Sequence, residues 1–234
     1  MEKPLIERER LPLHEELMLL ALRDEEGTIA PGTMYQHAIA GAILSELMLR
    51  GRIGIDETGR KKLAKVLDTK PTGAPLLDEC LARIAEDKPR SLETWVGKFA
   101  AIKDLKHRVA ERLCDRGILR EEEGKILIVF SRRTYPETDP RPEKEIVDRL
   151  REAIFTDTRD VDPRTVVLIS LANNAEILRV VFDKKELRQR KQRIEQLVNG
   201  EIIGRAAKEA IEAMQAAVMV AVIMPAIMTT VITN

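Results

Sequence analysis

The chain has 234 residues in which 39 lysines and arginines balance 39 aspartates and glutamates, so no global basic field of the kind that drives non-specific nucleic-acid binding exists. Its length is that of one large domain or two small ones, and Cys80 and Cys114 are too few and too far apart for a disulfide scaffold or a CxxC motif. Any anion site must be local, and a reducing compartment is expected.

The N-terminus, MEKPLIERERLPLHEEL, carries acids throughout and lacks a leading apolar core, so it does not read as a secretory signal. Leu11–Leu22 follows as an amphipathic helix with Glu15 and Glu16 in its first turn, and Gly27 stops it. His14-Glu15-Glu16 lacks the second histidine of a metal motif and reads as the exposed first turn of that helix. Met34–Leu49 is a second helix, closed by Gly51 and followed by a short extended piece, Arg52–Asp56, and a turn around Glu57–Gly59. Arg60–Leu67 is compatible with strand or helix. Pro71-Thr72-Gly73 is a turn that hands over to a helix beginning near Pro75 and ending before Pro89.

Ser91 is placed to cap Leu92–Ala101, and a further helix, Ile102–Cys114, ends at Gly117. Along Lys98–Arg116, at about 100° per residue, Lys103, Lys106 and His107 share one flank, while Ile102, Leu105, Val109 and Leu113 form the buried stripe. Ile118–Leu119, an EEEG turn at Glu121–Gly124 and the β-branched run Lys125–Phe130 predict a β-hairpin, bordered by Arg132 and Arg133. Helices are then expected over Glu143–Phe155, Arg164–Leu178 and Lys184–Leu197, with Asp160–Pro163 as a start signal. Asn173 and Asn174 read as hydrogen-bonded structural residues, and Arg188, Arg190, Lys191 and Arg193 as a solvated face. The uncharged segment Ala213–Asn234 reads as a core or interface helix, with a membrane span as the alternative.

The fold class is therefore all-α, a multi-helix single domain around a central helical core with one β-hairpin, preceded by an arm over residues 1–10. No HExxH, GxSxG, P-loop or GxGxxG is present and the three histidines are dispersed, so neither a catalytic residue, a metal ligand nor a cofactor is assigned. A helix, then RG plus an aliphatic residue, then extended residues occurs at both ELMLRGRI (Glu46–Ile53) and ERLCDRGIL (Glu111–Leu119). That order is also how winged-helix modules are written, so a nucleic-acid regulator with Lys98–Arg116 as reader is the competing reading.

Four signatures decide between them: LPLHEELMLLAL (Leu11–Leu22), SELMLRGRIGID (Ser45–Asp56), PTGAPLLDECL (Pro71–Leu81) and VAERLCDRGIL (Val109–Leu119). Together they resemble the Golgi phosphoprotein 3 family. The resemblance implies a non-enzymatic, mostly helical, peripheral membrane protein that recognises phosphatidylinositol 4-phosphate, and whose eukaryotic members retain glycosyltransferases through their cytoplasmic tails. It places the family's two phosphate-binding arginines, spaced i and i+3, on Lys103 and Lys106. The family's pocket tryptophan and its helix arginine align with Pro31 or Gly32 and with Ala40, while Tyr35 and His37 lie nearby and are the candidate substitutes. Lysine binds phosphate as a point charge, without the bidentate fork of arginine. The resemblance also makes the hairpin, with Phe130, Arg132 and Arg133, a membrane contact and a surface for homo-oligomerisation. A cytoplasmic, membrane-associated protein of prokaryotic type is the expectation, with anionic lipid as partner, membrane-protein tails as a further class of partner, and nucleic acid disfavoured.

Overall fold

In a computed structural model, residues 10–56, 62–126, 130–159 and 161–201 are described. The expected arm, the turn at 57–59, residues 127–129 of the expected strand run 125–130, and the apolar segment 213–234 lie outside them in whole or in nearly all of their length. The described chain runs α1 (Leu13–Ala21), β1 (Leu22–Arg23), β2 (Thr28–Ile29), α2 (Tyr35–Leu49), β3 (Ile53–Asp56), β4 (Leu63–Val66), α3 (Pro75–Glu86), α4 (Leu92–Ala100), α5 (Leu105–Asp115), β5 (Glu122–Ile126), β6 (Phe130–Thr134), α6 (Arg141–Phe155), α7 (Pro163–Asn174), α8 (Leu178–Val181), α9 (Lys184–Gln189) and α10 (Lys191–Val198). The architecture is mostly α, with short antiparallel two-stranded pairs β1–β2, β3–β4 and β5–β6 where one hairpin was expected. β1–β2 is only two residues per strand, below what a periodicity of two can reveal, and within the ambiguous Arg60–Leu67 the residues Leu63–Val66 are strand β4, which pairs with β3 from Ile53↔Val66 to Asp56↔Leu63.

The core is built around α1 and α2, which pack on each other and are enclosed by α4, α5, α6 and α7. Every residue of α1 is buried, and so is the run Ala38–Leu47 of α2, so both helices are enclosed on all sides rather than on one face, and their few polar residues are buried with the rest. The exposed first turn expected for α1 is therefore corrected: His14, Glu15 and Glu16 are 2%, 0% and 1% exposed. Arginines from distant positions make this burial tolerable. Glu16 meets Arg149 at 2.8 Å and Arg10 at 3.4 Å, while Arg116 approaches Glu15 at 3.2 Å. Glu46 of α2 accepts the Leu13 amide at 2.9 Å and pairs with Arg50 and Arg164 at 2.7 Å each. Arg164 stands between the two carboxylates, with Glu16 at 3.8 Å. Buried charges persist only when paired in this way.

Local chemistry places the helix ends. Ser91 caps α4 by accepting the Thr94 amide at 3.3 Å, and Asp162 caps α7 by accepting from Arg164 and Thr165 at 3.1 and 3.3 Å. The two RG motifs close α2 and α5 in the same way: Gly51 and Gly117 take φ of 64° and 71°, and Arg52 and Ile118 donate back to Leu47 and Leu113 at 2.9 and 3.0 Å. The expected solvated face on the last helices is corrected for two residues. Arg193 donates to Ala153 O at 3.0 Å and to Thr158 O, and Arg190 donates to Phe155 O, so both satisfy carbonyls at and beyond the end of α6. Among the described residues no helix is long and apolar enough to cross a membrane.

Candidate functional site

The flank expected along Lys98–Arg116 crosses the boundary between the helices expected over Leu92–Ala101 and Ile102–Cys114, and that boundary is a turn. α4 ends at Ala100, Asp104 takes the left-handed conformation with φ of 56°, and α5 begins at Leu105. Ile102 and Leu105 turn into the core at 7% and 3% exposure, with tight bonds Ile102 N to Phe99 O at 3.1 Å and Leu105 N to Ile102 O at 3.2 Å. Lys103 is left exposed on the turn, where it makes no hydrogen bond or ion pair among the described residues. Lys106 stands in the first turn of α5. The Asp104 carboxylate does not cap that helix, and its first turn carries no acid. Among the described residues, no side chain thus hydrogen-bonds the free amides at the positive end of α5, beside two lysines and the Asp104 carboxylate.

His107 joins this turn to the hairpin. Its Nδ1 lies 2.8 Å from the hydroxyl of Tyr135, which is 0% exposed and directly follows β6. Desolvation, with repulsion from Lys106 and Arg133, holds the imidazole below its ordinary pKa against the pull of Asp104 and Glu111. Arg133 is paired with Glu111 at 2.9 Å and Glu121 at 3.7 Å, so the hairpin base is tied to α5. The turn expected at Glu121–Gly124 is corrected, because Glu122–Gly124 is extended and pairs with Arg132–Thr134, Glu123 opposite Arg133. Opposite charges facing each other across the ladder favour this register. Phe130 and Arg132 lie on β6, opposite Ile126 and Gly124.

The remaining two candidates sit at the start of α2. The Met34 amide donates to Ala175 O at 3.1 Å, which seats this helix start on the end of α7. Tyr35 packs part-buried against the core, burial lowers the His37 pKa, and neither side chain makes a hydrogen bond among the described residues. The structure thus gathers Lys106, His107 and Arg133 into one electrostatic neighbourhood, with Lys103 three residues upstream, and leaves Tyr35 and His37 at the α2–α7 junction.

A family model described as Golgi phosphoprotein 3 (GPP34) matches residues 13–214. The chain belongs to the Golgi phosphoprotein 3 family. It is similar to a vacuolar protein sorting-associated protein 74 from Eremothecium gossypii, 28% identical over 212 residues, covering 77% of this chain. The chain spans 64% of the length of that relative.

Within this Golgi phosphoprotein 3 fold, the signatures are scaffold. LPLHEELMLLAL is the fully buried α1, SELMLRGRIGID carries Glu46 and the Gly51 cap, and VAERLCDRGIL carries the Gly117 cap. In PTGAPLLDECL, Asp78 accepts the Thr72 amide at 2.6 Å and its hydroxyl at 2.7 Å, fixing the entry to α3.

Sequence reasoning passed over an acidic group formed by Asp24, Glu137 and Glu143. Burial, with repulsion from Asp24 and Glu137, raises the Glu143 carboxyl to about 8. A raised carboxyl favours the folded state below the unfolded pKa of about 4.3, and that contribution is lost as pH rises toward about 8. Glu143→Gln, which stays neutral, is therefore expected to match the wild type near pH 4 and to melt higher above pH 8. Discounted for solvent reaching this part-buried side chain, the gain is about 1 kcal/mol, or about 2–4 °C in a thermal melt. A constant difference across that range would rule out ionisation of Glu143 as the cause.

Proposed function

We propose that this chain is a non-enzymatic, cytoplasmic, peripheral membrane protein that binds anionic phospholipid head groups of the phosphatidylinositol 4-phosphate type. Family membership supports the class, and the observation that carries the site is the start of α5, where no side chain caps the helix. There the exposed Lys103, the adjacent Lys106 and an uncapped, acid-free first turn converge. An anion placed there meets both ammonium groups and the positive helix end, and charge-assisted hydrogen bonds hold it. Tyr35 and His37, at the start of α2, are the further head-group contacts in this reading. The hairpin, through Phe130, Arg132 and Arg133, is the second membrane contact and the surface for homo-oligomerisation. The organisation that goes with this reading is a short arm, residues 1–10, ahead of one helical domain over 11–234. Binding of membrane-protein tails is compatible with the same orientation at a membrane.

Co-sedimentation with vesicles tests the site. Wild type is expected to sediment with phosphatidylinositol 4-phosphate vesicles, more weakly with phosphatidylserine or cardiolipin vesicles, and not with neutral ones. Each basic residue near an anionic surface contributes about 1 kcal/mol, so Lys103→Glu/Lys106→Glu should cost at least about 2 kcal/mol, or about 30-fold in affinity. Unchanged binding by the double variant rejects the site, and binding to no vesicle at all rejects the lipid reading in favour of an adaptor for protein tails.

A further inference from the structure

A cavity of about 530 Å³ opens between the end of α7, α8 and the pair α9–α10. Asn173 and Asn174, expected to be satisfied structural residues, line it, and the bond that joins them is a long one, Nδ2 of Asn173 to Oδ1 of Asn174 at 3.4 Å. The Asn174 amide group is left with its donors unused among the described residues.

Four cations and two acids share the lining, and the acids are already paired. Glu176, held at φ of 60° by the turn that ends α7, meets Arg179 at 2.5 Å, and Glu195 meets Lys191 at 3.5 Å. Lys184 and Arg188 are exposed, and neither makes a hydrogen bond or ion pair among the described residues. They stand i and i+4 on α9 and so project from one face, where like charges repel unless an anion lies between them. The α9 start is itself capped by Asp183, which accepts from Lys185 at 2.8 Å and Glu186 at 3.1 Å, so the anion-attracting groups here are side chains. Leu187 and Ile194 form an apolar wall that lowers the local dielectric and strengthens those charges.

We propose that this cavity is a second anion site, separate from the α5 start, and that it binds a phosphate monoester. Arg188 supplies the two parallel N–H donors that match a phosphate edge, Lys184 a point charge, and the Asn174 amide a neutral donor. The chemistry is common to a soluble phosphate ester and a lipid bearing a terminal phosphate.

Proton–nitrogen NMR spectra of the full chain, titrated with inorganic phosphate, test it. The side-chain amide signals of Asn173 and Asn174 are expected to shift saturably. The response should weaken by at least about tenfold in Arg188→Glu, survive in part in Arg188→Lys, weaken in Asn174→Asp, and persist in Lys103→Glu/Lys106→Glu. A response that does not saturate, that chloride at equal ionic strength reproduces, or that Arg188→Glu leaves intact overturns the site. Once the phosphate response is established, phosphatidylcholine vesicles carrying phosphatidic acid separate the two sources. Sedimentation reduced by Arg188→Glu identifies a membrane-borne phosphate, and unaltered sedimentation identifies a soluble ester. Because the Lys103→Glu/Lys106→Glu variant is a positive control here, failure of this site and failure of the α5 site give different results.

Discussion

Replacing Glu46 with alanine is expected to lower the unfolding free energy by about 3–5 kcal/mol, read as a fall in the urea midpoint without a change in slope. The side chain is 1% exposed and holds the Leu13 amide, Arg50 and Arg164 together. Its removal leaves a helix-start amide without its acceptor and two guanidinium groups without their carboxylate, a far greater penalty than the packing lost. Glu46→Gln, which keeps the shape and one acceptor oxygen, should cost less. Burial pushes the Glu46 carboxyl up, but Arg164, the Leu13 amide and Arg50 outweigh it, so its pKa lies below the ordinary value. Its contribution is therefore present above about pH 4.3 and is lost as pH falls through the folded-state pKa. Wild type and Glu46→Ala should converge in acid. If Glu46→Ala unfolds at the wild-type midpoint at neutral pH, the network does not hold α1 to α2 and α7.

Gly27→Ala is expected to be comparably damaging for a purely steric reason. Gly27 has φ of 58°, and a Cβ there would lie 2.2 Å from Pro136 N and 2.3 Å from Tyr135 C. Both are backbone atoms, so the segment after β6 would have to move, breaking the bond from Tyr135 N to Gly27 O at 2.8 Å. Gly51 is the matched control, since its φ is 64° and a Cβ added to it would meet nothing within 4 Å. Gly51→Ala should cost only the left-handed backbone penalty of about 1–2 kcal/mol, and Gly27→Ala that plus about 1–3 kcal/mol of overpacking. Equal midpoints for the two variants would show that the close approach to Tyr135 is not maintained in solution.

Much of the helical order was legible because its signals are local. Ser91 and the Asp162-Pro163 pair mark helix starts, and the Gly51 and Gly117 stops follow from chemistry within a few residues. The burial of His14-Glu15-Glu16 was not, because the arginines that make it tolerable come from Arg10, Arg116, Arg149 and Arg164, as many as 148 residues from Glu16 to Arg164 along the chain. A boundary between two helices was read at Ala101–Ile102, but the left-handed turn at Asp104, which delays the second helix to Leu105, was equally hidden. An aspartate in the left-handed region has no sequence mark when the residues on both sides, Lys103 and Leu105, are good helix formers. The candidate site was read as a pair of lysines on a helix flank, whereas one lysine lies on a turn and the other at a helix start. For the hairpin, three acids before a glycine read as a turn, and only their pairing with Arg132–Thr134 shows that they are strand.

The position of Arg164 between Glu16 and Glu46 also bears on how the chain is made. A nascent polypeptide that ends before α7 already contains the two most apolar helices, yet it lacks the guanidinium that both carboxylates share. Closing α1 on α2 at that stage leaves Glu16 with Arg10 and Arg149 and Glu46 with Arg50, but the Glu46 oxygen that accepts from Leu13 still lacks the Arg164 guanidinium, so the native pairing of the earliest helices is completed only by a later one. During translation those helices are consequently less firmly closed until α7 is made, which leaves them more open to chaperone capture.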